Sequence, residues 1–190
     1  MSDLRRPAVF LDRDGVLNET HVVDGTPHPP ATPSDLRVIP SAAEACRDLR
    51  EAGYVLVVVT NQPDIARGTE TMSNVEAVNE AVAAEVPIDE FVICPHDDVD
   101  GCACRKPKPG MLLDAADRLQ IDLEHSFMVG DRWRDIEAGR RAGCTTVYVD
   151  RGYTERKPEK PDVVVNELVE AVPRMLAAHI QPQEGSRSNA

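Results

Sequence analysis

Short unbroken apolar runs alternate with longer amphipathic stretches along most of the chain. Ala8-Val9-Phe10-Leu11 stops abruptly at Asp12-Arg13-Asp14-Gly15. Such a run, closed by a turn residue, fits a strand buried on both faces of a parallel sheet. Tyr54 to Val59, Phe91 to Cys94, Phe127 to Val129 and Thr145 to Val149 repeat the pattern, and Val163 to Val165 adds a sixth candidate. Helical periodicity fills the intervals. The first helix starts at about Ser41, read as an N-cap with Glu44 as capping-box partner, and stops at Gly53. Further helices are expected over Ser73 to Glu85, Met111 to Leu119, Arg132 to Ala142 with Gly143 as its stop, and Glu167 to about Ala178. This alternation predicts an α/β fold, a three-layer Rossmann-like sandwich around a central parallel sheet.

Two segments depart from the alternation. Asn18 to Pro40 carries five prolines and two histidines. Such an insertion forms either a mobile flap or an ordered surface loop. It is only about two dozen residues long, and one helix fills the second connection, so a separate cap domain is not expected. Gln181 to Ala190 is polar and expected to be a disordered tail, leaving residues 1–180 as a single domain.

Composition narrows the partners. Aromatic residues make up only 4% of the 190, so the core must be mostly aliphatic. The formal charge of −12 argues against general affinity for nucleic acid or anionic membranes, which needs a basic surface. An anionic substrate must instead meet a local cluster of cations or a metal. No apolar run approaches the roughly 18 residues of a membrane span, and the first residues lack a signal-peptide apolar region. A cytoplasmic monomer acting on a small molecule is therefore expected. Cys46 and Cys144 read as buried free thiols, in keeping with a reducing compartment.

The polar residues fall in a regular place. Asp12, Thr60 and Asp131 each follow the C-terminal end of an apolar run, and Lys106 precedes a helix. Strand C-termini share one edge of a parallel sheet, where ligands bind. Taken singly, each reads equally as a loop or cap residue. Together they can build phosphoryl chemistry. Asp12 can attack phosphorus if its charge is screened from the phosphate's, and magnesium suits that screening. Asp131 offers a second carboxylate, with Asp135 one helical turn beyond. Lys106, Thr60 and the amides near Asn61 can bind the phosphoryl oxygens. Asp14 then suits the proton transfers.

A second constellation lies between residues 94 and 104. Cys94, His96, Cys102 and Cys104 supply three thiolates and one imidazole, a closed tetrahedral set that suits structural zinc. The alternative is a group of loop cysteines without metal. Arg105-Lys106 follow directly, so an ion here would position the lysine.

In this order, Asp12-Arg13-Asp14-Gly15-Val16, Thr60, Lys106 and Gly130-Asp131 with Asp135 resemble the haloacid dehalogenase-like phosphohydrolases, from about Ala8 to Asp150. The resemblance implies Asp12 as nucleophile and Asp14 as general acid/base. It also implies magnesium on Asp12, Asp131 and the Asp14 main-chain carbonyl, with Asp135 one step removed. Thr60 and Lys106 take the family's phosphate-binding positions. Thr60-Asn61-Gln62, Cys94-Pro95-His96, Cys102 to Pro107, Ile65-Ala66-Arg67-Gly68 and Pro109 to Leu113 look like the D-glycero-D-manno-heptose 1,7-bisphosphate phosphatases. Histidinol-phosphate phosphatases share the zinc loop and are the nearer alternative; a non-enzymatic phosphate-ligand-binding protein is the distant one. Val16 and Pro63-Asp64 depart from both patterns, and Asp64 adds an acid near the substrate entrance. The heptose branch implies loss of the C7 phosphate, with the product feeding nucleotide-activated heptose for lipopolysaccharide or another glycoconjugate. Arg105 would recognise the substrate or else be a surface cation. Arg67 is open between substrate and structural roles, and Trp133 between helix packing and a substrate platform.

Overall fold

A computed structural model describes residues 5–23 and 26–180. The expected disordered tail lies outside the described residues. Among the described residues, eight strands and five helices follow in order: β1 (Ala8–Leu11), β2 (His21–Val23), β3 (Thr26–His28), α1 (Pro40–Glu51), β4 (Val55–Asn61), α2 (Met72–Ala83), β5 (Glu90–Cys94), α3 (Gly110–Leu119), β6 (Phe127–Gly130), α4 (Trp133–Ala142), β7 (Thr145–Val149), β8 (Val163–Val165) and α5 (Val172–Ile180).

Six strands form one sheet in the order β5-β4-β1-β6-β7-β8, with every neighbouring pair parallel. The alternation of side chains along β1 explains the layering. Val9 and Leu11 join a cluster with residues of α1, α2 and α5, whereas Ala8 and Phe10 join one with α3 and α4. All four residues of β1 are fully buried, as the unbroken apolar run requires. The chain builds outward from β1 through β4 to β5, then returns to the other side of β1 as β6. That reversal beside β1 is the switch point where open α/β sheets bind ligands. The expected three-layer sandwich and central parallel sheet are present.

Element boundaries shift for local reasons. The Ser41 N-cap with Glu44 as capping-box partner is not formed. Ile39 occupies the cap, Pro40 starts the helix, and the Ser41 hydroxyl donates instead to Glu167 at 2.6 Å. Pro40 lacks an N–H and has its φ preset, which suits a first helical position. At α2 the cap is Thr71, whose hydroxyl accepts the Asn74 N–H. The last helix begins later than Glu167, because a 3-10 turn over Leu168–Ala171 precedes α5.

The proline-rich insertion also differs from an irregular loop. β2 and β3 pair antiparallel, with His21 opposite His28. An Asn18–Val38 bridge and a Glu19 N–H to Arg37 carbonyl bond of 2.9 Å close its base, and Asn74 of α2 donates to the Ala31 carbonyl. Of the two readings, an ordered surface segment describes these anchored residues. Cys46 and Cys144 are buried free thiols, and burial pushes each up to about 12. Among the described residues, no helix is long and apolar enough to cross a membrane.

Candidate active site

Asp12 follows β1 and Asp131 follows β6, so neighbouring strands deliver both carboxylates to one edge. α4 begins right after Asp131 and brings back Asp135, whose Oδ2 accepts the Arg132 N–H at 3.0 Å. A side chain at Gly130 would place its Cβ 2.0 Å from the Asp135 Cβ, so only glycine allows this return. Lys106 enters from the segment before α3. Its Nζ lies 2.8 Å from Asp12 Oδ1, 2.6 Å from Asp135 Oδ1 and 2.7 Å from the Val59 carbonyl.

Three carboxylates and one ammonium, all nearly inaccessible, leave two negative charges uncompensated. Burying them so is costly. Burial, opposed by Lys106 and reinforced by Asp135 and Asp14, pushes the Asp12 carboxyl up to about 6. Asp131 is raised well above the usual range by burial and by the Asp12 and Asp135 charges. Burial alone would lower Lys106, but Asp12 and Asp135 hold its ammonium above the ordinary value. A carboxylate oxygen from each of Asp12, Asp131 and Asp135 falls within a 4.8 Å spread, and Asp131 Oδ1 is buried without a hydrogen-bond partner. Hard oxygen donors, an excess of two negative charges and an orphaned acceptor fit a divalent cation such as magnesium.

Asp14 lies in a different setting from Asp12. The strand ends at Leu11, and each carboxylate has its own donors. Arg13 is 1% exposed and donates through Nε and Nη2 to Asp14 at 3.2 and 3.0 Å. Asn18 and Gln62 add bonds of 3.1 Å each. Gln62 also donates to the Thr60 hydroxyl at 2.8 Å, linking Asp14 to the candidate phosphate ligand. Thr60 is in β4, beside β1. The Asn61 side chain instead grips the Lys106 main chain, donating to its carbonyl and accepting its N–H, each at 3.1 Å. It thereby fixes where the lysine starts.

Cys94, at the end of β5, converges with His96, Cys102 and Cys104. The four ligand atoms are neighbours at 3.2–3.8 Å in the pairs that touch. That is close to the edge, roughly 3.8 Å, of a tetrahedron with bonds of about 2.3 Å. The Arg105 N–H points at Cys102 Sγ, 3.4 Å away. Burial opposes ionisation of Cys102, yet hydrogen bonds from Cys104 and that amide hold its thiol below the usual range. A thiolate is the form that metals take.

Arg105 is nearly buried and turned into this loop, donating to Asp98 at 2.8 Å and the His96 carbonyl at 3.2 Å. Arg67 clamps Asp97 through Nε and Nη2 and donates to Asp64 at 3.0 Å. The acid at position 64 is thus paired, and Arg67 ties the turn after β4 to the cysteine loop. The Trp133 ring carries the guanidiniums of Arg134 and Arg156 at 4.9 and 4.7 Å. Several neighbours of the site were given no role by the sequence, although Arg13 and Gln62 lie inside its motifs. Gln62, Arg13 and Asn79, which accepts from Arg13 at 2.8 Å, act between elements far apart in sequence. So does Tyr153, whose hydroxyl donates to Asp131 Oδ2 at 2.9 Å. Two cavities of about 280 and 330 Å³ flank the insertion: Arg13, His28 and Gln62 line the first, Gly15, Thr20 and Tyr153 the second.

A haloacid dehalogenase-like hydrolase family model matches residues 103–171. Over 193 residues the chain is 35% identical to a D-glycero-β-D-manno-heptose-1,7-bisphosphate 7-phosphatase of Escherichia coli K12, covering 94% of this chain and 97% of that protein. A Yersinia pestis protein of the same name is 38% identical, with 90% and 96% covered. Among solved structures, a D,D-heptose 1,7-bisphosphate phosphatase from B. bronchiseptica, complexed with magnesium and phosphate, superposes with a TM-score of 0.73. It is 31% identical, with 90% of this chain and 98% of that one covered. The edge-of-sheet carboxylates, the buried lysine and this near full-length similarity lead to one assignment. The chain belongs to the haloacid dehalogenase-like phosphatases, in the family of the heptose-1,7-bisphosphate 7-phosphatases.

Proposed function

We propose that the chain is a magnesium-dependent phosphomonoesterase that removes the C7 phosphate of D-glycero-D-manno-heptose 1,7-bisphosphate and leaves the sugar 1-phosphate. The carrying observation is the buried cluster of Asp12, Asp131, Asp135 and Lys106, with its two excess negative charges and the orphaned Asp131 Oδ1. The names of the relatives support the substrate.

Asp12 attacks phosphorus, and the bond from phosphorus to the sugar oxygen breaks as Asp14 gives that oxygen a proton. Asp14 next takes a proton from water. The water oxygen attacks the aspartyl-phosphate at phosphorus, releasing inorganic phosphate and restoring the Asp12 carboxylate. Lys106 and Thr60 hold the phosphoryl oxygens, and Asn61 holds the Lys106 main chain in register. Magnesium on Asp12, Asp131 and the Asp14 main-chain carbonyl supplies the charge screening that lets two anions meet. Asp135, with both oxygens taken by Lys106 and the Arg132 amide, stands behind these ligands.

Zinc on Cys94, His96, Cys102 and Cys104 braces the loop that leads into Arg105-Lys106. Arg105 serves the substrate's second anionic group, exchanging Asp98 for it while Arg134 keeps Asp98 paired at 3.1 Å. One chain supplies every residue of the site, so a monomer suffices. Five free cysteines support a reducing, cytoplasmic setting for a product that feeds heptose activation and lipopolysaccharide.

The test is a panel of both anomers of the heptose bisphosphate, histidinol phosphate and simple sugar phosphates, with released phosphate measured. Preference for a heptose bisphosphate by at least about tenfold in kcat/KM is expected, the size of discrimination that a few polar contacts supply. Preference for histidinol phosphate would overturn the substrate.

A further inference from the structure

Asp131 has one oxygen without a partner and one held by an unexpected residue. Tyr153 lies in the segment after β7, is 9% exposed, and places its hydroxyl 2.9 Å from Asp131 Oδ2. An ionised carboxylate only accepts, so the phenol donates there. The Thr20 hydroxyl, 3.0 Å from the phenol oxygen, then supplies its own proton to Tyr153. Thr20 belongs to the insertion, just before β2. The result is a line of hydrogen bonds from the insertion through Tyr153 to Asp131.

The surroundings are shaped to keep this line. Gly15 has φ +86°, and a Cβ there would fall 1.8 Å from Asp131 Oδ2 and 3.0 Å from the Tyr153 oxygen. The absence of a side chain at position 15 is what admits the phenol-carboxylate bond. Two residues before Tyr153, Arg151 donates to the Gly15 carbonyl at 2.7 Å. One short segment therefore grips the loop after β1 with Arg151 and the carboxylate after β6 with Tyr153.

We propose that Tyr153 is a positioning residue for the divalent cation. By holding Asp131 Oδ2 it fixes the plane of the carboxylate, so that the buried, unpartnered Oδ1 faces the ion, and it ties that orientation to the insertion through Thr20. Outer hydrogen bonds to metal-binding carboxylates commonly change metal affinity by about 10–100-fold. The inference rests on the magnesium reading above and deepens it.

The test titrates the magnesium-free full chain, purified with its zinc in place, with Mg²⁺ by calorimetry, without substrate, for wild type, Tyr153→Phe and Thr20→Val. Tyr153→Phe should raise the Mg²⁺ Kd by about tenfold, and Thr20→Val should raise it by less. Turnover by Tyr153→Phe should be depressed at low magnesium and rescued by excess magnesium, a response that a purely structural role would not give. Wild-type Mg²⁺ affinity in a folded Tyr153→Phe protein overturns this inference alone. A wild-type protein that binds no Mg²⁺ overturns both it and the magnesium reading. If Tyr153→Phe does not fold by circular dichroism, Thr20→Val decides: weaker Mg²⁺ binding supports the inference and unchanged binding overturns it.

Discussion

Asp12 and Gly15 stand three residues apart and carry separable demands. The proposed mechanism asks Asp12 to be a nucleophile, whereas the packing asks Gly15 to leave space. Asp12→Asn keeps the shape of the side chain but is a much poorer nucleophile. Phosphate release should fall by at least about a thousandfold while the circular dichroism spectrum is unchanged. Gly15→Ala should act through geometry, since the left-handed backbone is strained for alanine and the added methyl overlaps Asp131 Oδ2. A loss of about 1–3 kcal/mol on chemical denaturation is expected, together with weaker magnesium binding; wild-type values for both would contradict the placement of Asp131. At this scale the sequence was legible where function sits at an element boundary. Asp12 and Asp131 each follow a strand and converge with Lys106, while Thr60, next to last in β4, is linked to Asp14 through Gln62. Arg13 and Gln62 fall inside the motifs, yet their roles, like that of Tyr153, were not legible, because a hydrogen bond between distant segments leaves no local spacing to read.

Two elements make distinct predictions. The cysteine loop has a single short 3-10 turn, Asp98–Asp100, and is otherwise braced by side chains. Cys102→Ser should reduce zinc from about one per chain to a small fraction by elemental analysis, and lower turnover by about 10–100-fold through Lys106. Full zinc occupancy in that variant would contradict the four-ligand set. At the sheet's far side, Asp162 accepts from the Thr146 N–H at 2.8 Å and hydroxyl at 2.6 Å, at the entry to β8. Burial opposes its ionisation, but those bonds hold its carboxyl below the usual range. A depressed carboxyl stabilises the fold above the unfolded value and loses that contribution as pH falls through the folded one. Asp162→Ala should therefore cost about 1 kcal/mol at pH 7, modest because the residue is largely exposed, with the difference from wild type shrinking below about pH 4. Thermal melts across that range check the sign. The strand-helix order was readable from periodicity alone. The β2–β3 hairpin was hidden because its strands are three residues each, one containing proline, and too short to show alternation. The Ser41 cap failed because Pro40 already satisfied the geometric needs of a first turn.

For the whole molecule, a net charge of −12 surrounds a site meant for an anion. The fold resolves that conflict locally, by gathering Lys106 and a cation-hungry trio of carboxylates where β1 meets β6. The alternation of elements anticipated the parallel sheet but not the strand order that puts the reversal beside β1. Magnesium was expected from the carboxylates, whereas the buried, unpartnered Asp131 Oδ1 that supports it is visible only in the fold. The central claim is that Asp12 accepts the phosphoryl group. The most direct measurement is rapid quenching of the enzyme during turnover, borohydride reduction of the acyl-phosphate and peptide mass spectrometry. Conversion of Asp12 to homoserine is the predicted result. Phosphate release at full rate with Asp12 unmodified, or with another residue reduced in its place, would contradict it.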